Sequence, residues 1–357
     1  MYSILNISKS TMNRVKIEAY KKLCSIALEN NGIIFGGFVR DQIIAGHYSD
    51  LYYEHHKKNN LSLNESKFWN DNYMPETKKR LLIPDDIDIS FSDEADINKF
   101  IYCVKNIKEF NSVSVTAILD NSYYLPIINY MRRMYIMINV GAIPFITEGI
   151  SVIIIADIIL PKTSFVEPPF RNLDMLCNGF IIKNNDITFS KYTGTLIDNM
   201  SPVKRANIIS KIMNDLINFK TIACFCNCGI SKSLLNVRAL NRINKLYEKN
   251  MGWKVLNLPF NIKKISSKYP KNNYKEECMI CLSEIKKKQL VSYMSVTSSN
   301  GELINCAKIH YQCFMENLAS QSAAIIEDNL NKVTVFKCPL RNEIDFSKCN
   351  KNLEYIL

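Results

Sequence analysis

Six cysteines and one histidine near the end of this chain stand in an order that constrains its fold more than any other feature. Cys278-x-x-Cys281 is followed by Cys306, then His310-x-x-Cys313, then Cys338-Pro339-Leu340, with Cys349 beyond. Two thiolates two residues apart can grip one Zn²⁺, and a distant His-x-x-Cys can complete the tetrahedron. The chain has twelve cysteines in all. Met1 to Arg14 lacks the apolar run of a signal peptide. The expectation is therefore a reducing compartment, cytoplasmic or otherwise intracellular and not secreted, with the thiols serving as metal ligands or buried groups.

With 357 residues, 47% of them hydrophobic, the chain is long enough for two or three domains and too apolar for extended disorder. A net charge of +11 favours a polyanionic partner such as RNA, DNA or nucleotide phosphate, although Lys-rich solvated faces give the same number. The most apolar stretch, Met134 to Leu160, is interrupted by Glu148 and Asp157. The uncharged run before Glu148 is too short to span a bilayer and the stretch reads as buried strands, so no membrane partner is expected.

Periodicity predicts a helix over Met12 to Asn30, a strand Ile33 to Phe35, a helix Phe38 to Ala45 and an irregular inserted segment over 46–83. A strand Ile87 to Phe91 and a helix Ala95 to Ile107 follow. Strands come next at Val113 to Leu119, Tyr135 to Val140 and Ser151 to Leu160. A hairpin after Gly179 leads to helices near 202–220 and 231–250, and Lys263 to Lys275 reads as a linker. The fold class is mixed α/β (α+β). The expected division is a head over 1–200, a helical extension over 201–265 and a zinc-organised domain over 266–357.

Gly36-Gly37-Phe38-Val39-Arg40-Asp41 sits where a strand meets a helix. Glycines there let the backbone approach a phosphate, and helix N-terminal amides favour the anion. Asp86 and Asp88 stand at i and i+2 on a strand, so both carboxylates can reach one metal centre, with Asp85 pointing away. Two or three such carboxylates sharing divalent ions make a metal-assisted phosphoryl-transfer site. Asp157, inside an apolar strand, either joins them or ends the strand at a solvated edge. Arg40 and Asp41 also read as a buried ion pair pinning the helix to the sheet. His55-His56 reads as solvated surface, and Cys224-x-Cys226-x-Cys228 as buried thiols.

Gly-Gly-x-Val-Arg-Asp followed by Asp-x-Asp resembles the head of CCA-adding tRNA nucleotidyltransferases and bacterial poly(A) polymerases. Asp174-Met-Leu-Cys-Asn178-Gly-Phe is similar to the same family's Arg-Asp-Phe-Thr-x-Asn-Ala segment. The resemblance covers about residues 30–185. It implies that Asp86 and Asp88 bind Mg²⁺ and that Asp157 orients the attacking hydroxyl or shares a metal. It further implies that Gly36 and Gly37 cradle a nucleoside triphosphate, and that Asp174 and Asn178 shape the sugar and metal surroundings. The implied reaction is attack of an acceptor hydroxyl, on RNA or another molecule, at the α-phosphate. The chain departs from the family in its long segment between the two motifs, which holds His47, His55, His56 and Trp69, in Leu173 before Asp174, and in lacking a downstream Glu-Asp-x-x-Arg.

The tail resembles a RING finger, in which two zincs are held cross-braced. The resemblance implies a first site of Cys278, Cys281, His310 and Cys313. It also implies a degenerate second site with Cys306, Cys338 and, at unusual spacing, Cys349. An alternative alignment gives His310 to the second site and leaves three ligands in each. Ile280 and Pro339 match RING positions that contact a ubiquitin-conjugating enzyme, and Arg341 matches the basic residue that helps hold ubiquitin. Three functions stay open: ubiquitin ligase or adaptor, Mg²⁺-dependent nucleotidyltransferase, and non-catalytic scaffold.

Overall fold

The first helix, α1 (Tyr2–Glu29), buries Ile17, Tyr20, Leu23 and Ala27. Steps of three and four residues make this the stripe a helix lays on a sheet. The helix stops where Asn31 takes a positive φ of 62° and the Gly32 amide turns back to donate to the Ala27 carbonyl at 2.8 Å. A Cβ on Gly32 would lie 2.7 Å from that oxygen, so this turn requires glycine. These elements belong to a computed structural model. It describes residues 2–59, 83–118, 128–140, 150–163, 167–170, 173–224, 253–257, 261–264, 277–278, 280–285, 290–297 and 303–310, together with positions 239, 242–243, 246, 313 and 316–317. The chain divides into two compact units, Met1–Lys220 and Thr221–Leu357.

In the first unit β1 (Ile33–Phe35) leads into α2 (Gly37–Lys58). The helix is far longer than the sequence pattern suggests and takes up residues 46–58 of the stretch read as irregular. Tertiary packing accounts for the difference. Tyr48 lies against Phe219, ring centroids 6.1 Å apart, and donates to the Ile217 carbonyl at 3.5 Å. Those partners lie some 170 residues away and leave no local trace. His55 is exposed on α2, as expected. The rest of the inserted segment, including Trp69, lies outside the described residues.

Next come β2 (Ile87–Ser90), α3 (Glu94–Lys105), β3 (Ser112–Ile118), β4 (Ile128–Val140) and β5 (Ile150–Pro161). A 3-10 turn at Leu176–Asn178, a hairpin of β6 (Phe180–Lys183) and β7 (Asp186–Phe189), and α4 (Pro202–Ile217) complete the unit. The Asp93 side chain caps α3 by accepting the Ala95 amide, with Glu94 and Asp96 in the first turn and Lys105 in the last, matching the helix dipole. The seven strands form one sheet in the order β3-β4-β5-β2-β1-β6-β7. β2 and β5 run parallel and every other pair antiparallel. β4 begins seven residues before the expected Tyr135, because it pairs along nearly all of β5.

The sheet has two unlike faces. Along β5, Val152, Ile154, Ala156, Ile158 and Leu160 are buried, whereas Ile153 is 52% exposed. Arg132, opposite Ile158 in register, ion-pairs with Glu94 of α3 at 3.2 Å, so the even-numbered face of β5 is the helix-covered one. Arg133, next along β4, points to the other face. That face is apolar at one end, where Phe35, Met131, Ile159 and Ile181 pack with Phe170. Among the described residues no helix is long and apolar enough to cross a membrane.

Tyr20 ties α1 to the place where β2 comes alongside β5. Its hydroxyl donates to the Asp85 carbonyl at 2.8 Å and accepts the Ile155 amide at 3.2 Å. Burial pushes its pKa above the ordinary phenol value, the Ile155 hydrogen bond opposes this, and the charges of Asp86, Asp85 and Asp157 add to the rise. Tyr20→Phe strands two backbone groups and should cost about 1–3 kcal/mol in denaturant unfolding. The raised pKa means the protonated phenol stabilises the fold. That stabilisation is full below the phenol's ordinary value of 10.0 and is lost as pH rises above it. The variant's alkaline unfolding should lack this component.

In the second unit β8 (Lys220–Ile222) and β9 (Lys254–Leu256) form a two-stranded sheet, and β10 (Asn261–Lys264), β11 (Leu290–Thr297) and β12 (Leu303–His310) an antiparallel one in that order. Lys263 and Lys264, read as the start of a linker, belong to β10 and pair with Val291 and Leu290. The helix expected at 231–250 falls outside the described residues apart from a few positions, as do Cys226 and Cys228. Cys224 is buried.

Candidate functional site

Cys278 and Cys281 sit on a tight turn. The Cys278 amide donates to the Ser283 carbonyl at 2.9 Å and the Leu282 amide to the Cys278 carbonyl at 2.8 Å. Leu282 closes the turn at a positive φ of 58°. The β11–β12 hairpin delivers His310 at the end of β12, and Cys313 follows three residues later. One ligand atom from each of Cys278, Cys281, His310 and Cys313 lies within 4.8 Å of all the others. His310 Nδ1 is 3.3 Å from Cys281 Sγ and 4.0 Å from Cys313 Sγ. Around a tetrahedral zinc the ligand atoms stand roughly 3.3–3.8 Å apart, so shifts of about 1 Å or less close the site. These four residues can hold a metal ion such as zinc.

The surroundings suit a metal-thiolate centre. The His310 amide donates to Sγ of the fully buried Cys278 at 3.4 Å, a backbone hydrogen bond that fixes the sulfur's position. The Ser283 amide, then His310, pulls the Cys281 pKa down to about 6. Burial, then the hydrogen bond to Cys281, pushes Cys313 up to about 12. A bound dication would hold all three thiols deprotonated. Cys306 lies on β12 opposite Ser295, four residues before His310. That is roughly 13 Å along a strand. Cys338, Cys349, Pro339 and Arg341 lie outside the described residues.

In the first unit the sheet register places Ile181, Phe35, Asp88, Asp157, Arg133 and Thr116 in one lateral row. Residues directly opposite share a face, so Asp88 and Asp157 are neighbours on the face away from the helices. Gly36 begins α2 at φ 79°, and its missing side chain is filled by Asp88, whose Oδ2 would lie 2.6 Å from a Cβ there. The Asp88 carboxylate thus stands beside the helix N-terminus, where the resemblance puts a triphosphate. A Cβ on Gly37 would meet nothing nearer than Arg40 Nη2 at 3.5 Å. Gly36→Ala should therefore cost about 2–4 kcal/mol from left-handed backbone strain and displacement of Asp88, and Gly37→Ala far less, both read by denaturant unfolding.

Asp86 is exposed just before β2. Both oxygens of Asp157 are engaged by Arg133, through Nε at 2.5 Å and Nη2 at 2.6 Å. Among the described residues the Cys278 cluster is the one group of three or more His, Cys, Asp or Glu side chains that could hold a metal. Asp86, Asp88 and Asp157 are not gathered as such a group of three. Sequence reasoning missed Arg133. Its only signal is a doubled arginine in a strand next to the one carrying Asp157.

Arg40 and Asp41 form a buried pair at 2.7 Å. Arg40 also donates to Asn178 Oδ1 at 3.3 Å, and Asn178 in turn donates to Asp174 Oδ1 at 3.0 Å. Burial works against the charge of Arg40, but Asp41, with Cys177 and Asp174, more than offsets it and holds the pKa above the ordinary arginine value. The two segments singled out by sequence, 36–41 and 174–180, are thus joined by one network. No family model, no curated protein and no solved structure matches the chain.

Proposed function

We propose that the second unit is a zinc-organised interaction module of RING type that brings a ubiquitin-conjugating enzyme to a target, as ligase or adaptor. The carrying observation is the gathering of Cys278, Cys281, His310 and Cys313, from segments about thirty residues apart, within 4.8 Å. Four protein ligands leave no open coordination position, so zinc there would supply structure and not chemistry. Ile280, at the position matching the contact with a ubiquitin-conjugating enzyme, is 38% exposed, and Leu282 beside it 72%. Apolar side chains held outward on a metal-stapled turn are what a docking partner would cover.

The test is metal analysis of the purified chain joined to ubiquitin-chain assembly with a panel of conjugating enzymes. The expected result is at least one zinc per chain, and assembly that Ile280→Ala abolishes without loss of zinc. A metal-free protein would remove the module. A zinc-loaded Ile280→Ala protein with undiminished assembly would remove the ligase reading alone.

A second reading has its own observation: Asp88 and Asp157 side by side next to Gly36 at the start of α2. It assigns the first unit a nucleotidyltransferase-like role on RNA or another hydroxyl acceptor. Triphosphate-dependent extension of RNA primers that Asp88→Ala eliminates would support it; no extension by the wild-type chain would sink it.

A further inference from the structure

We propose that Arg133 stands in this chain where a metal ion would otherwise meet the third carboxylate: Asp157 is a permanent ion-pair partner and not a metal ligand, and any divalent cation on the first unit is held without it. The inference concerns the nucleotidyltransferase-like reading and owes nothing to the zinc centre. Three observations carry it. Arg133 and Asp157 are directly opposite each other in the β4–β5 register, so the pairing is built into the sheet and does not depend on a wandering side chain. The two hydrogen bonds, 2.5 and 2.6 Å, use both carboxylate oxygens, the fork geometry that matches guanidinium to carboxylate. And Asp157 is only 5% exposed, between Ala156 and Ile158 that are fully buried, where a carboxylate needs a lasting counter-charge.

A dication could reach Asp157 only by displacing that guanidinium, and while Arg133 stays it repels the ion across a few ångströms. Asp88, the next member of the row, keeps its place beside Gly36 whether or not Asp157 is available. The arrangement removes the carboxylate that two-metal transfer would share between ions.

The experiment is titration of the zinc-loaded full chain with Mn²⁺ alone, free Mn²⁺ being read by electron paramagnetic resonance. Arg133→Gln should tighten Mn²⁺ affinity by about tenfold or more, and Arg133→Gln with Asp157→Asn, which removes both charges together, should return it to the wild-type value. Should Arg133→Gln fail to fold, the apolar exchange Arg133→Met with Asp157→Leu removes the pair without a lone charge and should bind Mn²⁺ as the wild type does. Weaker Mn²⁺ binding than wild type in either double variant would overturn the proposal, as would a folded Arg133→Gln with no gain. Primer extension by wild-type protein whose Mn²⁺ affinity ignores Asp157 would keep the transferase reading and this proposal together; each can therefore fail alone.

Discussion

Replacing Cys278 by serine is expected to empty the metal site and unfold the second unit's β11–β12 hairpin. Cys278 is fully buried, it accepts the His310 amide, and its own amide closes the turn onto Ser283. A serine hydroxyl is a poor zinc ligand and leaves the neighbouring thiolates facing one another without a cation. Structural zinc in small modules contributes about 10 kcal/mol or more of apparent binding energy, comparable to the whole stability of about 5–15 kcal/mol of a typical domain. Zinc per chain should fall from one to none at the Cys278 site, and protease resistance of 277–317 should vanish, as it should in wild-type protein treated with a chelator. Cys103→Ser, on α3 in the first unit, should change neither reading. A Cys278→Ser protein that keeps its zinc and its resistance would show that these four side chains do not bind the ion together.

Arg40→Met is the second large effect, at about 3–5 kcal/mol of unfolding free energy for the first unit. The arginine is buried against Asp41 and reaches Asn178, which holds Asp174. Methionine fills much of the volume and keeps none of the charge, so the carboxylates of Asp41 and Asp174 lose the cation that their burial requires. Arg40→Met with Asp41→Leu should recover part of the loss, because an apolar pair of similar volume removes the lone charge with the lost one. If single and double variants are equally destabilised, the Arg40–Asp41 pair is not what makes this site costly to break.

Much of the first unit is legible from pattern. The helix expected over Met12 to Asn30, the strand Ile33 to Phe35 and the helix from Ala95 are found near their expected places, because helix and strand periods are written locally. The four positions of the candidate metal site are legible for the same reason: metal-ligand spacing is a local code repeated twice, at 278–281 and 310–313. The length of α2 is not. It depends on Tyr48 meeting Phe219, and nothing near residue 48 records that.

Arg133 shows the limit most clearly. From the sequence, Asp157 is a charged residue in an apolar strand, open to a metal, to solvent or to a partner. Which of these it takes depends on a cross-strand register that brings residue 133 opposite residue 157 and residue 88 to its other side.

Residue types and their local spacing determined by themselves that this chain is mixed α/β with a Cys₃His donor set near its end, and that Gly36-Gly37 stand where a strand meets a helix. Only the tertiary structure decided which charges neutralise one another. Local spacing sets the face a side chain occupies, but its counter-ion arrives from distant chain, and a buried charge takes its character from that partner.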